Sequence, residues 1–146
     1  MPTILVADDE ENVRKLVRMN LQAEGYTVLE AVDGQDALDK ITAQDPDVIV
    51  LDVRMPRVDG LGVLRRLQGQ GETRRVVMLT GATDEEDYLR GWGAGADDYI
   101  SKPFEPEQLL SAVERVLNLS PQELQTQRER EIERARLLRQ LDRFLE

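Results

Sequence analysis

Val48-Ile49-Val50-Leu51-Asp52-Val53-Arg54-Met55-Pro56 is the stretch whose reading decides the fold of this chain. Its opening residues are all branched aliphatics, with no alternation of polar and apolar positions. That is the pattern of a strand covered on both faces, as in a parallel sheet. The run ends abruptly in a carboxylate and then in a turn containing Pro56. Asp52 therefore lies at the carboxyl end of a buried strand and is the first candidate for a functional residue.

Outward from this strand, apolar runs alternate with helical periodicity. Thr3 to Ala7 is a short apolar run ending in Asp8-Asp9-Glu10, followed by Val13, Leu16, Val17 and Leu21 at helical spacing, with Gly25 as a stop. Thr27 to Ala31 is a second strand, and Ala37, Leu38 and Ile41 mark the helix after it, which Asp45-Pro46 breaks. Leu61, Leu64 and Leu67 mark a third helix after the Met55-Pro56 turn, and Arg75 to Thr80 is strand four. A helix from Asp84 to about Trp92 is expected to be short, because Gly91, Gly93 and Gly95 weaken it. Asp98 to Ser101 is strand five, and Pro106 opens a helix carrying Leu109, Leu110, Val113 and Leu117. Strands alternating with helices through right-handed crossovers predict a doubly wound α/β fold: a five-stranded parallel sheet of flavodoxin-like order 2-1-3-4-5.

Composition narrows the chemistry. The 146 residues carry a formal charge of −10, so a nucleic-acid surface is not expected here, and a cation or a basic partner is. The chain has no Cys and no His, which removes thiolate chemistry, the usual general base and the commonest metal ligand. Any bound metal should be a hard ion held by oxygen. No apolar run approaches membrane-spanning length, and a soluble, cytoplasmic protein is expected.

In folds of this class, sites form beyond the carboxyl ends of the strands. The residues that end strands one, three, four and five are Asp8-Asp9, Asp52, Thr80 and Lys102. Three carboxylates crowded together need a proton or a cation, and this set suits a magnesium ion completed by waters and a backbone carbonyl after Asp52. Lys102 starts two strands away, about 10 Å, so its stem must reach back across the pocket. A carboxylate beside a divalent ion, a hydroxyl and an ammonium can accept a phosphoryl group, giving an aspartyl phosphate.

With these motifs in place, the sequence resembles the receiver domain of bacterial two-component response regulators over roughly residues 3 to 118. The resemblance rests on Ile-Leu-Val-Ala-Asp8-Asp9-Glu10, Val-Leu-Asp52-Val-Arg-Met-Pro56, Asp59-Gly60, Met-Leu-Thr80 and Gly95-Ala96-Asp-Asp-Tyr99-Ile-Ser-Lys102-Pro103-Phe104. It implies a phosphorylation-activated signalling switch rather than a turnover enzyme, with Asp52 as phosphoacceptor and a histidine kinase or phosphotransfer protein as donor. It further implies magnesium held by Asp8, Asp9, Asp52 and the Arg54 carbonyl, with Thr80 and Lys102 on the phosphoryl group. Tyr99 becomes the switch aromatic and Lys102-Pro103 a cis peptide. Gly81 departs from the family pattern, in which a small residue such as Ala follows the Thr, and loosens that loop.

Phosphorylation is then expected to draw Thr80 inward and to let Tyr99 turn into the space vacated. The face formed by the helix ending near Trp92, strand five and the helix opened by Pro106 would change. Tyr88 and Trp92, four residues apart, are expected to border that face and to contribute to a partner or homodimer contact. Two other readings compete. A phosphatase of the haloacid dehalogenase type would need an acid two residues after its nucleophile, where this chain has Arg54. A receiver-like interaction module that takes no phosphate is disfavoured by the complete acidic, hydroxyl and ammonium set.

The sequence divides into a receiver domain, 1–119, and a helical extension or linker, 120–146. Ser120-Pro121-Gln122-Glu123 is a capping box that starts a new helix. Its six Arg balance six acids, and its apolar positions thicken only at Ile132, Ala135, Leu138, Leu141 and Leu145. A solvated helix is the expectation, with pairing to a partner protein or an effector domain as the alternative.

Overall fold

The computed structural model describes residues 1–71, 74–81 and 90–145. Its strands are β1 (Thr3–Ala7), β2 (Thr27–Ala31), β3 (Val48–Asp52), β4 (Val76–Thr80) and β5 (Asp98–Ser101). Its helices are α1 (Glu11–Ala23), α2 (Gly34–Gln44), α3 (Gly60–Gly69), α4 (Pro106–Asn118) and α5 (Pro121–Leu145). All strand pairs are parallel, and the spatial order is β2-β1-β3-β4-β5. The helix expected from Asp84 lies mostly outside the described residues; residues 90–93 are helical.

The central position of β3 explains its composition. Every residue from Val48 to Asp52 is buried, because helices cover both faces of the sheet. One layer of core joins Leu5, Ile49, Leu51 and Met78 to α2 and α3 through Ile41, Val63 and Leu64. The other joins Ile4, Val6, Val50 and Leu79 to α1 and α4 through Val17, Leu21, Leu109 and Val113. Alternate residues of one strand thus feed opposite layers, as the two-residue side-chain period requires. Local chemistry sets the helix ends: Asp33 caps α2 through the Asp36 amide, Asp59 caps α3 through the Gly62 amide, and Asp45 ends α2 in the left-handed conformation.

The terminal helix differs from the solvated helix expected. Its capping box forms as read, with Glu123 N–H donating to Ser120 Oγ and Ser120 N–H to Glu123 Oε1. Its first turns are docked: Leu124 is 4% exposed within the second core layer, and Arg128 Nη1 donates to the buried Asp97 carboxylate at 2.6 Å. Asp97 Oδ2 also accepts the Val76 amide, while Arg75 donates to the Leu119 carbonyl at 2.6 Å. Beyond this anchor the helix is solvated, and Leu137, Leu138, Leu141, Phe144 and Leu145 are exposed.

Two measurements check this division. Leu124→Ala should cost about 2–5 kcal/mol in denaturant unfolding, whereas Leu138→Ala should change stability by no more than about 0.5 kcal/mol; equal, small effects would return the whole helix to a solvated linker. Burial raises the Asp97 pKa from 3.8 to about 6, against the lowering effects of the Val76 amide and Arg128. The folded chain therefore holds this proton more tightly than the unfolded one, so the contribution is present below the unfolded value and is lost as pH rises through about 6. Asp97→Asn should flatten the melting-temperature profile across that window.

Candidate functional site

The strand register brings the candidate residues to one level of the sheet. Ala7 pairs with Leu51, Asp52 with Leu79, and Thr80 with Ser101, so Asp8 and Asp52 emerge level at the carboxyl edge, with Thr80 one residue and Lys102 two residues beyond them. Lys102 N–H donates to the Thr80 carbonyl at 2.7 Å, and Lys102-Pro103 is a cis peptide. Gly60 is needed for close approach. A Cβ there would lie 2.4 Å from the Asp52 carbonyl oxygen, so only Gly lets the start of α3 pack beneath the strand end.

Asp8 and Asp52 are buried, Asp9 is exposed, and one carboxylate oxygen from each lies within 4.8 Å of the others. Asp52 Oδ1 accepts the Arg54 amide at 3.2 Å. The Lys102 side chain does reach across the pocket: its Nζ is 2.9 Å from Asp8 Oδ2, 3.3 Å from Asp52 Oδ2 and 3.7 Å from Glu10 Oε1. Burial alone would lower the Lys102 pKa, but the Asp8 and Asp52 carboxylates outweigh it and hold the ammonium above its ordinary range. Asp52 is pushed from 3.8 to about 6, first by burial and then by Asp8, with Lys102 and the Arg54 amide pulling the other way.

These residues fit a hard divalent cation. Three carboxylates converge, no nitrogen or sulfur ligand is present among them, and buried Asp8 Oδ2 has the Lys102 charge nearby but no well-formed hydrogen bond. Asp8, Asp9 and Asp52 would hold it.

The expected switch face is partly described. Tyr99 is half-buried, and its ring lies 5.6 Å from that of Trp92, tilted by 50°. Its hydroxyl occupies a notch at Gly91, where a Cβ would fall 1.4 Å away. Trp92 requires a correction. It is 3% exposed and lines, with Leu64, Leu67, Val76 and the docked part of α5, a cavity behind the sheet edge, so its ring is not presented at the surface as the helical spacing suggests. Tyr88 lies outside the described residues.

Sequence reasoning missed Arg14. Its Nη1 donates to the Asp8 carbonyl at 2.9 Å, while its Nε faces Glu30 on β2 at 3.3 Å. The available signal was its place in the first turn of α1, facing back toward the acidic loop.

The fold and pocket define a doubly wound α/β protein with a carboxylate-and-ammonium site at the switch point of its sheet. Residues 4–114 match the response regulator receiver domain, and the chain belongs to that family. It is 43% identical over 117 residues to the alkaline phosphatase synthesis transcriptional regulatory protein PhoP of Bacillus subtilis, covering 80% of this chain and 49% of that protein. The chain thus spans about half the length of this relative. Among solved structures, Vibrio cholerae chemotaxis protein CheY4 superposes with a TM-score of 0.74 at 39% identity, covering 80% of this chain and 99% of that one. NtrX of Brucella abortus superposes over 97% of this chain and 29% of its own, with a TM-score of 0.74 and 31% identity.

Removing the Lys102 charge should expose the balance within the pocket. Lys102 lowers the Asp52 pKa, so Lys102→Met should raise it further above about 6 in a carboxyl 13C NMR titration. An unchanged or lower value would mean that the ammonium does not act on Asp52.

Proposed function

We propose that this chain is a phosphorylation-activated switch in which Asp52 takes a phosphoryl group from the phosphohistidine of a sensor kinase or phosphotransfer protein. The observation that carries this reading is the Lys102 ammonium set 2.9 Å from Asp8 and 3.3 Å from Asp52, a cation fixed where charge must be offset. A bound magnesium would supply further positive charge to the phosphoryl oxygens. Asp8, Asp9 and the Arg54 carbonyl are its proposed protein ligands beside Asp52.

Asp52 acts as nucleophile through a carboxylate oxygen. The bond from phosphorus to the donor imidazole breaks as the new bond to oxygen forms. Lys102 follows the charge from the carboxylate to the phosphoryl oxygens, and the Thr80 hydroxyl donates to the same group. Arg54 stands two residues after Asp52, so no acid is placed there to assist a leaving alcohol; the only turnover in this reading is the chain's own phosphotransfer and the hydrolysis of its aspartyl phosphate, which resets the switch. Thr80 then moves toward the phosphoryl group. Tyr99, whose notch at Gly91 and contact with Trp92 are already shaped, repacks and alters the surface of β5 and α4.

Magnesium is the cofactor in this reading, and the setting is the cytoplasm beside the kinase domain. Contacts with a second copy, a partner protein or an effector domain fall on the solvated half of α5, which exposes Leu137, Leu141 and Phe144. The receiver unit, 1–119, and the extension, 120–146, remain distinct in role despite the Arg128 anchor.

Intact mass spectrometry after incubation with magnesium and acetyl phosphate tests the reading. One phosphoryl group should add to the native chain, none to Asp52→Asn, and none when the metal is chelated. A native chain that gains no mass, or an Asp52→Asn chain that labels as well as the native one, would overturn it.

A further inference from the structure

We infer that Arg14 is a positioning residue for the acidic loop and that Glu30 holds it in place. This rests on the reading of Asp8, Asp9 and Asp52 as cation ligands. Asp9 is exposed on a loop, and nothing in its local sequence fixes where its carboxylate points. What is fixed is the preceding residue. The Asp8 N–H donates to the Ala31 carbonyl at 3.2 Å, its side chain accepts the Glu10 amide at 2.9 Å, and its carbonyl accepts Arg14 Nη1 at 2.9 Å. Among these, the Arg14 bond alone acts on the peptide joining Asp8 to Asp9. It sets the plane of that peptide, and with it the direction in which the Asp9 side chain leaves the backbone.

Arg14 is suited to this by its own restraint. Its side chain is 14% exposed, and its Nε faces Glu30 Oε1 at 3.3 Å, while Arg18 meets the other oxygen of Glu30 at 2.8 Å. The guanidinium therefore spans from the sheet edge to the loop, using its planar fork at both ends. A cation so close to a metal site would by its field oppose binding of a second cation. Glu30 offsets that field, so the loop gains a fixed donor with little electrostatic cost.

Position and charge predict opposite signs, which makes the inference testable. Isothermal titration with magnesium chloride on the full, unphosphorylated chain reads affinity directly, and thermal melting checks the fold. If Arg14 acts through position, Arg14→Gln weakens magnesium binding by about tenfold, although it removes a positive charge. Glu30→Gln frees Arg14 from the other end and also removes the offsetting charge, so it weakens binding on either account, and an unchanged affinity there would overturn the inference. Arg18→Gln removes the same charge without touching Asp8, so it leaves affinity unchanged or slightly higher. Arg14→Lys keeps the charge and loses the fork; it folds under the same conditions and binds less tightly than the native chain. Affinity in Arg14→Gln or Arg14→Lys equal to or above the native value would overturn the inference and leave the metal site intact. No heat of binding from the native chain would overturn the metal reading itself, and this inference with it.

Discussion

Two carboxylates lie buried side by side at the edge of this sheet, and the ammonium of Lys102 set between them makes that arrangement tolerable. Burial removes the water that would stabilise each negative charge, and proximity adds repulsion between them. Lys102 offsets only part of this, since the Asp52 carboxyl remains raised to about 6. The pocket therefore keeps an appetite for further positive charge, and for a reaction that moves negative charge outward from Asp52 onto phosphoryl oxygens. Its polar contacts serve that imbalance: the Arg54 amide on one oxygen of Asp52, Lys102 on the other, and Glu10 at the rim.

The sheet supplies the positions. Parallel strands in register deliver one residue each to a common edge, so a site built from distant parts of the chain needs little correction from its loops. Where correction is needed, it is made by single residues. Gly60 allows α3 to begin against the backbone of Asp52, and the cis peptide at Lys102-Pro103 follows the residue whose side chain returns to the pocket. The same strands lead away from the site: β5 begins at the Asp97 anchor and carries Tyr99 at its middle, between the pocket and the docked part of α5.

Much of this was legible in the sequence because it depends on local pattern. A short, branched apolar run bounded by Asp45-Pro46 and Met55-Pro56 reads as a doubly covered strand, so β3 and the acid at its end were plain from Val48 to Asp52, and the strand order placed Asp8, Asp9, Thr80 and Lys102 around that acid. The features that escaped depend on partners far along the chain. Arg128 reads as one of six arginines in a balanced helix until Asp97, 31 residues earlier, is seen beneath it. Arg14 reads as an ordinary helix-surface cation until Glu30 arrives on β2, 16 residues later. Trp92 shows a subtler limit, since helical spacing finds a stripe shared with Tyr88 but cannot say which side of it faces inward.

The anchoring of α5 near one end gives the helix a mechanical character. Arg128 is tied to the root of β5, and the helix continues to Leu145 with its far residues in solvent. At 1.5 Å per residue, the free arm beyond Arg128 is about 25 Å long, so a tilt of about 5° at its base displaces the tip by about 2 Å. A repacking that tilted the helix by this much at Arg128 would move its tip by a distance comparable with a side-chain contact. The lever so defined has its fixed end against the same sheet that carries Asp52.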